Sequence, residues 1–379
     1  MKIQQKKYSK ATGWKILRND DFDPSLCSLV LVFSSTEILA DAAIYASIKN
    51  DYPGAHILLN STAGEITDTE VSDETISLTA IVFEKIKIKT AVTNIGEVEN
   101  SFEAGKCLAA NLDPDDLKYV LVISDGQKVN GSELVSGLQK QLPAGTILTG
   151  GLAGDGPRFQ KTLVGLNETP VEGRIVAIGF YGPHVSVSYG SVGGWDSFGP
   201  ERLITKSKAN ILYELDGKPA LDIYKMYLGE YANELPGSGL LFPLSIRTDK
   251  AGHSLVRTIL SVNEEEKSLT FAGNMPEGTY ARLMKANLDR LIEGASDAAQ
   301  NSMCNKAHTP ELALLISCVG RKLVLDQRIE EEVEVVRAIY GNKTAIAGFY
   351  SYGEISPSFN FIKCELHNQT MTITTLSEE

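Results

Sequence analysis

Cysteine is scarce in this sequence, and its distribution argues against cross-links. The 379 residues include five cysteines, an odd number, and no two of them form a CxxC pair. We therefore expect neither a disulfide framework nor a closed zinc site. We expect a reduced, cytoplasmic protein. The five are Cys27, Cys107, Cys304, Cys318 and Cys364.

Positive charge and long apolar runs are lacking as well. Lysine and arginine together number 36 against 48 acidic residues, which gives a formal net charge of −12. Such a chain carries no basic footprint for a nucleic acid, and an anionic membrane surface repels it. No uninterrupted apolar run approaches the roughly 18 residues of a membrane span, and no apolar signal core follows the basic start MKIQQKKYSK. We expect no nucleic-acid partner and no membrane insertion.

Common catalytic and phosphate-binding motifs are missing too. The sequence contains no phosphate loop of the GxxxxGKS or GxxxxGKT type, no GxSxG elbow and no HExxH pair. The glycine run at 150–156 has the wrong spacing for a dinucleotide fingerprint, and the histidines lie far apart. We therefore expect no metal and no resident cofactor, and no motif points to an enzyme.

What is present is an alternation of strand and helix patterns. An almost wholly apolar run at 28–34 is typical of a strand buried on both faces, and an amphipathic helix pattern follows at 36–50. The alternation continues along the chain and predicts an α/β fold with mixed, partly parallel sheets. AGE at 63–65 and YGE at 352–354 each follow a strand, so a pseudo-symmetric pair of domains is one alternative. The predicted units are an α/β domain at 27–215, a second at 216–360, and a C-terminal strand and tail at 361–379.

Polar residues bracketed by glycine follow several predicted strands of the first domain. Ligands in open α/β sheets bind beyond the carboxyl ends of strands, where glycine lets the main chain approach them closely. Thr62 can donate a hydrogen bond and Glu65 can hold an ammonium group, unless their segment is only a solvated turn. Gly151 and Asp155 lie in a small-residue loop that domain packing alone could explain. Trp195 follows two glycines and either lines a pocket or covers the core.

A stronger group of candidates lies in the second domain. Arg321 directly follows a predicted buried strand, and its guanidinium can hold a carboxylate as a rigid fork. Ser351, Tyr352, Gly353 and Glu354 follow the next strand and offer hydroxyl groups and a carboxylate. We predict that Arg321 binds the carboxylate of a small zwitterion and that Glu354 binds its ammonium group. The alternative is that the two form only an internal ion pair.

Six segments, in the expected order, resemble the FIST family, a sensory module with N- and C-terminal parts found in bacterial signalling proteins. The resemblance covers about residues 27–360. The matching segments are STAGEI at 61–66, ISDGQKVNGSELVSGL at 123–138, TGGLAGDG at 149–156, ELDGKPALDIYKMYLG at 214–229, SCVGR at 317–321 and AGFYSYGEI at 347–355.

The resemblance implies an intracellular sensor of small ligands, with amino acids as the usual proposal. Family members occur with histidine-kinase, chemoreceptor or cyclic-dinucleotide output domains, and because this sequence shows none of these, the implied receptor would signal to a separate partner. Some members bind haem and sense nitric oxide, which requires an axial ligand, usually histidine. His184 is the candidate here, although a lone histidine in a strand region is more often structural.

A third hypothesis is an enzyme that acts on a small amino- or keto-acid. Its chemistry would use Glu65, Asp155 or Cys318, and its motivation is the presence of polar groups in an expected cleft. Cys318 lies on a predicted buried strand, where an inert core thiol is the simpler interpretation. The leading prediction is therefore a sensor that binds a small zwitterion, with the haem sensor and the enzyme as alternatives.

Overall fold

The computed structural model describes residues 1–247, 254–303, 309–357 and 363–379. Cys304 and the first two residues of the predicted tail, 361 and 362, lie outside the described residues.

Strands dominate the described residues. In chain order they are β1 (Lys2–Ser9), β2 (Gly13–Asn19), β3 (Leu29–Ser34), β4 (His56–Ser61), β5 (Glu65–Thr67), β6 (Glu70–Ser72), β7 (Ile76–Val82), β8 (Lys87–Asn94), β9 (Leu117–Ser124), β10 (Ile147–Leu152), β11 (Val164–Leu166), β12 (Arg174–Tyr181), β13 (Val185–Val192), β14 (Asp196–Lys208), β15 (Ile211–Leu215), β16 (Lys218–Pro219), β17 (Leu244–Arg247), β18 (Ser254–Arg257), β19 (Ile259–Asn263), β20 (Ser268–Phe271), β21 (Tyr280–Lys285), β22 (Leu312–Cys318), β23 (Ala345–Ser351), β24 (Gly353–Pro357), β25 (Cys364–His367) and β26 (Met371–Glu378).

Eight α-helices connect these strands within the described residues. They are α1 (Thr36–Leu39), α2 (Ala42–Asp51), α3 (Ser101–Ala110), α4 (Gly131–Gln141), α5 (Ala220–Leu228), α6 (Leu288–Met303), α7 (Val319–Leu325) and α8 (Glu331–Tyr340). Short 3-10 helices lie at Pro24–Leu26, Ile95–Glu97, Gly229–Glu234, Gly237–Leu240 and Asp326–Arg328.

Three of the four sheets share one plan. Their strand orders are β11-β4-β3-β7-β1-β2, β25-β24-β10-β9-β12-β8 and β13-β26-β22-β23-β5-β6. Each contains one parallel pair joined by a helical crossover: β3 with β4, β9 with β10, and β22 with β23. Such a crossover is what a parallel pair requires, whereas antiparallel strands can be joined by a tight turn. An antiparallel strand, β7, β12 or β26, flanks the first strand of each pair.

The chain therefore contains three topologically equivalent repeats. Their outermost shared strands are β1, β8 and β13, which pair with β7, β12 and β26. The first repeat spans 2–82, the second 87–181, and the third 185–378 with an insertion. We call these repeats together the three-repeat body.

Each repeat also gives one strand to a neighbouring repeat. After its parallel pair the chain leaves its own sheet, so that β5 of the first repeat pairs with β23 of the third. In the same way β11 of the second repeat pairs with β4 of the first, and β24 of the third pairs with β10 of the second. Main-chain hydrogen bonds fix the crossings, as from Ala63 N to Tyr350 O at 2.8 Å and from Gly154 N to Ser61 O at 2.9 Å. The exchange closes a cycle around the three repeats.

The fourth sheet is inserted into the third repeat between β13 and α6. Its order is β18-β17-β21-β14-β15-β20-β19, with β16 on β15, and every pairing is antiparallel. It has its own apolar core with α5, centred on residues such as Leu212, Tyr224 and Phe271. We call 196–285 the inserted unit.

Helix α4 illustrates how local sequence determines these elements. The Asn130 side chain accepts hydrogen bonds from the main-chain N–H groups of Ser132 and Glu133, which satisfies two free donors at the helix start. Leu134 and Leu138, four residues apart on one helix face, are fully buried in the core. The capping residue and the apolar spacing thus fix where the helix begins and which face it buries.

The predicted α/β class with mixed, partly parallel sheets is confirmed. The internal symmetry involves three units, since GLAGD at 151–155 occupies the place that AGE and YGE occupy in the other repeats. The β5–β23 and β24–β10 pairings join the two predicted α/β domains, and the predicted boundary at 215–216 falls inside the inserted unit.

Candidate functional site

A cavity of about 480 Å³ lies at the carboxyl ends of β3 and β4, where the three repeats meet. Thr62 and Glu65 of the first repeat, Arg158 of the second, and Lys322 and Asp326 of the third line it. The volume falls within the roughly 300–1,000 Å³ of small-molecule sites in proteins. We call it the strand-end cavity. It contains two of the residues predicted from the sequence, Thr62 and Glu65.

Glu65 is a buried carboxyl on the wall of this cavity. One oxygen, Oε1, accepts a hydrogen bond from the Thr62 hydroxyl at 2.6 Å. The other, Oε2, accepts from the Thr75 hydroxyl at 2.8 Å and from its main-chain N–H at 3.1 Å. Burial raises the pKa of Glu65 from 4.5 to about 7, although these hydrogen bonds favour the charged form. The carboxyl can therefore change its charge close to neutral pH.

Lys322 enters the cavity across the main chain of Gly64. Its Nζ donates to the Ala63 carbonyl at 3.0 Å and contacts the carboxylate of Asp73. Gly64 has a φ of +137°, and a Cβ at this position would lie 2.6 Å from Nζ. A residue with a side chain would therefore be strained at this position and would displace the ammonium group.

Arg158 also lines the cavity, and it binds two carboxylates. Its Nη2 lies 2.6 Å from Asp155 and 2.9 Å from Glu37. Asp155 also accepts from the Thr36 hydroxyl at 2.8 Å and from the Lys161 main chain at 3.2 Å. Burial by itself would raise the pKa of Asp155, but the hydrogen bonds from Arg158 and Thr36 outweigh it, and the pKa is lowered. Asp155 is thus a charged, fully occupied carboxylate.

The carboxyl groups of Glu65, Asp155 and Glu354 follow equivalent strands of the three repeats. Glu354 has the same partners by type as Glu65: the Ser351 hydroxyl at 2.7 Å, and the Thr370 hydroxyl and main-chain N–H at 2.9 and 3.2 Å. Burial raises the pKa of Glu354 to about 8. Of the three, Glu65 alone lines the strand-end cavity.

The loop between β25 and β26 contacts the Glu354 carboxyl group through Thr370. Gln369 donates to the Leu240 carbonyl at 3.2 Å and to the Thr258 hydroxyl at 3.0 Å, which ties this loop to the inserted unit. Asn368 donates to the Tyr352 carbonyl at 3.3 Å. The inserted unit therefore covers the position in the third repeat that is open in the first.

Arg321 forms an internal ion pair, but with Glu332 and not with Glu354, the partner in the alternative interpretation. Its side chain is completely buried in α7, and its Nε and Nη2 donate to Glu332 at 3.0 and 2.7 Å. Nη2 also donates to the Leu291 carbonyl at 2.7 Å, and Nη1 donates to the Gly193 carbonyl. Neither Arg321 nor Glu354 lines the strand-end cavity, because each is satisfied by protein groups inside the core.

The other residues predicted at these strand ends take part in packing. The Tyr352 hydroxyl donates to the Gly156 carbonyl at 3.0 Å, and its ring stacks on Phe159 with centroids 4.3 Å apart. Gly353 and Gly151 lie in the paired strands β24 and β10, where Gly151 is opposite Glu354. The structure brings these groups together around the crossing linkers, outside the cavity.

Trp195 covers core. Its indole N–H donates to the Gln369 carbonyl at 2.9 Å, and its ring packs with Met284, Leu291 and Leu325. Cys318 is buried as well, and desolvation raises the pKa of its thiol far above the ordinary value, so it is not available as a nucleophile.

His184 lies in the turn between β12 and β13, and its Nδ1 contacts the Glu379 carbonyl. The neighbouring cavity, at 85–89, 113–116 and 181–183, is lined largely by lysines and aspartates. A haem requires apolar surroundings beside its axial ligand, so these residues do not fit the group. Within the described residues, no cluster of three His, Cys, Asp or Glu side chains is arranged to hold a metal ion.

Sequence reasoning missed Lys322, Arg158 and Asp73. Lys322 directly follows the predicted Arg321, but only the structure shows that Arg321 is buried while Lys322 lines the cavity. Arg158 lies three residues after the predicted Asp155, and an acid followed by a base at this spacing was the available signal.

Both halves of the chain match models of a single family. The FIST N domain model matches residues 28–218, and the FIST C domain model matches 220–357. The chain therefore belongs to the FIST family. FIST domains are sensory domains, which favours small-ligand binding and signalling over catalysis.

Two other proteins are similar to this chain, the first over part of its length and the second only weakly. An uncharacterized protein of Methanocaldococcus jannaschii is 25% identical over 166 residues, which are 40% of this chain and 30% of that protein. The cyanuric acid hydrolase of A. caulinodans aligns with 95% of this chain and 92% of its own, with a TM-score of 0.36 and 8% identity. No helix in the described part of the chain is long and apolar enough to cross a membrane.

Proposed function

We propose that this protein is a sensor that binds a small zwitterion, such as an amino acid, in the strand-end cavity and signals to a separate partner. The observation that carries the proposal is the pair of opposite charges on the cavity wall. Lys322 supplies an ammonium group for a carboxylate, and Glu65 supplies a carboxyl group for an ammonium. Thr62, already bonded to Glu65, orients that carboxyl.

The ligand would replace contacts that the protein now makes with itself. Lys322 pairs with Asp73, whose side chain is 67% exposed, and exposed ion pairs contribute only about 0–1 kcal/mol. A ligand carboxylate can therefore displace Asp73 at little cost. The released Asp73 and the ionised Glu65 then both favour the ligand's ammonium group.

The position of the cavity suggests how binding would be transmitted. One ligand would touch the first repeat through Glu65 and the third through Lys322, and Arg158 brings in the second. Ligand contacts with all three repeats would favour the arrangement in which they lie closest together. Leu323, on the same helix as Lys322 and 41% exposed, offers an apolar contact through which a partner can detect that change.

Isothermal titration calorimetry with the common amino acids tests this proposal. We expect at least one to bind the wild type, and Lys322→Gln to weaken its binding by about tenfold or more, as expected for loss of a charge-assisted hydrogen bond. Lys128→Gln is the matched control, because Lys128 has the equivalent place in the second repeat, is 53% exposed and pairs with Glu172 outside the cavity. Equal binding by both variants, or no binding by the wild type, would contradict the proposal.

A backbone variant tests the same contact without removing the lysine. Gly64→Ala places a methyl group against Lys322 Nζ and should also weaken binding. Gly145→Ala makes a similar conformational demand, with a φ of +87°, but nothing lies within 4 Å of the added methyl group. Binding should therefore be lost in Gly64→Ala and kept in Gly145→Ala.

A further inference from the structure

A second cavity, of about 250 Å³, lies where the inserted unit packs against the three-repeat body. Arg257 and Asn274 of the inserted unit form one wall, and Ser132 and Ser136 of α4 form another. Strand β25 closes the cavity through residues that include Glu365. We call it the insertion cavity. It shares no lining residue with the strand-end cavity.

Arg257 is the unusual group in this cavity. Its side chain is buried, with 4% of the residue exposed, and it has no ion pair within 4.0 Å among the described residues. Its Nε donates to the Asn274 carbonyl at 3.3 Å, and its Nη1 donates to the carbonyls of Val256 and Leu366 at 3.3 and 2.8 Å. Nη2 donates to no atom of the described residues, so its two N–H groups are free beside the cavity.

A buried guanidinium held only by carbonyl groups is unfavourable. Taking a charge out of water costs several kcal/mol, and neutral acceptors recover only part of it. Burial accordingly lowers the pKa of Arg257 to about 10, even though the nearby Glu365 carboxylate favours the charged form. An anion that reached the free Nη2 would supply the missing counter-charge.

The remaining walls are suited to an oxygen-bearing anion. Arg247 and Lys363 also line the cavity, so three cationic side chains face one carboxylate, that of Glu365. Arg247 already binds Glu201 through Nε at 2.7 Å, which leaves Arg257 as the stronger candidate for direct contact. The Ser136 hydroxyl is exposed at the cavity and can donate to a ligand by rotating away from the Ser132 carbonyl.

We propose that the insertion cavity is a second ligand site, which binds a small oxyanion, a carboxylate or a phosphate, through the free Nη2 of Arg257. Bound there, the anion would contact both the inserted unit and α4 of the second repeat. It would therefore fix the inserted unit to the three-repeat body. Since the inserted unit also covers Glu354 through Leu240 and Thr258, anion binding would stabilise that cover as well.

Calorimetric titration of the full chain with inorganic phosphate and with acetate, at constant ionic strength, tests this site. Ser136→Glu places a carboxylate in the cavity as a built-in competitor, and Ser136→Gln adds a side chain of similar size without charge. We expect saturable binding of at least one anion to the wild type and to Ser136→Gln. In Ser136→Glu and in Arg257→Gln the affinity should fall by about tenfold or more.

The proposal is wrong if neither anion binds saturably to the wild type, or if Ser136→Glu and Ser136→Gln bind equally. Whichever anion binds more tightly identifies a phosphate or a carboxylate ligand, and either supports the site. Ser136→Glu keeps Arg257 in place, so the test does not depend on whether Arg257→Gln folds. Lys322→Gln should bind the anion as the wild type does, because Lys322 lies in the other cavity, and loss of anion binding in that variant would contradict the assignment.

Discussion

Buried carboxyl groups determine how single residues of this protein respond to pH. Glu65 and Glu354 each accept three hydrogen bonds from hydroxyl and main-chain donors, yet no cation of the described residues is hydrogen-bonded to either. Desolvation therefore prevails, and both keep a proton at pH values where an ordinary glutamate has lost it. Asp155, in the equivalent place, has Arg158 and stays ionised.

Glu65→Gln should reduce the pH dependence of stability. The folded-state pKa of about 7 lies above the ordinary 4.5, so the folded protein holds this proton more tightly than the unfolded chain does. The contribution is fully present below about pH 4.5 and is lost as pH rises through 7, by at most about 3 kcal/mol. Urea unfolding from pH 5 to 8 should show the variant gaining stability relative to the wild type.

The exposed Glu99 provides the control for this measurement. Glu99→Gln removes a solvent-exposed carboxyl group, and its unfolding free energy should run parallel to that of the wild type across the same pH range. If Glu65→Gln also runs parallel to the wild type, burial does not govern the protonation of Glu65.

Two residues predicted in the first repeat line the strand-end cavity, and those predicted in the third do not. Thr62 and Glu65 could be proposed from the sequence because a strand, a glycine and a short polar pair are adjacent. Arg321 was favoured for its guanidinium, but Glu332, on the next helix, satisfies it. Nothing in the local sequence shows which acidic residue of α8 faces inward, so the choice between a ligand anchor and an ion pair required the tertiary structure.

At the scale of elements, α7 carries the contacts that position Lys322. Arg321 fixes this helix to α8 through Glu332, and to the residues before β14 and in α6 through carbonyl groups. Glu332 also accepts hydrogen bonds from the Tyr350 hydroxyl at 2.6 Å and the Ser317 hydroxyl at 3.2 Å. The buried pair therefore joins two helices to strands β22 and β23.

Two adjacent glutamates of α8 allow the contribution of the Arg321–Glu332 pair to the unfolding free energy to be measured. Glu332→Gln leaves the Arg321 charge buried without a counter-charge and should lower the unfolding free energy by about 3–5 kcal/mol. Glu331→Gln breaks an exposed pair with Arg328, so a much smaller loss of unfolding free energy is expected. Urea denaturation of the two variants provides the comparison, and similar losses would show that the buried pair does not anchor α7.

The sequence indicated many elements and missed others for identifiable reasons. The apolar run at 28–34 was predicted as a strand close to the observed bounds of β3. No helix was predicted at 319–325, where the structure has the seven-residue helix α7. Strand β2 is largely exposed, and its mixed pattern does not distinguish it from a loop.

At the scale of the whole molecule, exchanged strands make the repeats interdependent. The first repeat completes the third sheet through β5, and the third completes the second through β24. The sequence did not predict this exchange, because short strands such as β5 and β11, three residues each, carry no pattern that identifies their partner. The match boundary between the two FIST models therefore does not separate independent sheets.

A chain shortened to residues 1–215 should not fold on its own. It lacks β22, β23, β24 and β26, so β5, β10 and β13 all lose a pairing partner and expose open edges. We expect it to aggregate or to lack a cooperative thermal transition, as measured by size-exclusion chromatography and circular dichroism. Co-expression with 216–379 should restore a soluble complex. A monodisperse, cooperatively unfolding 1–215 would show that the exchanged strands are dispensable.

Glu65 of the first repeat and Asp155 of the second occupy matching places. Arg158 shows that the place of Asp155 accepts a cation. There the Arg158 guanidinium, three residues along the chain, binds the Asp155 carboxylate and lowers its pKa. Among the described residues, no such cation binds the Glu65 carboxyl group. The first repeat thus lacks the cation that the second repeat supplies from its own chain, and a ligand with a protonated amine would provide it.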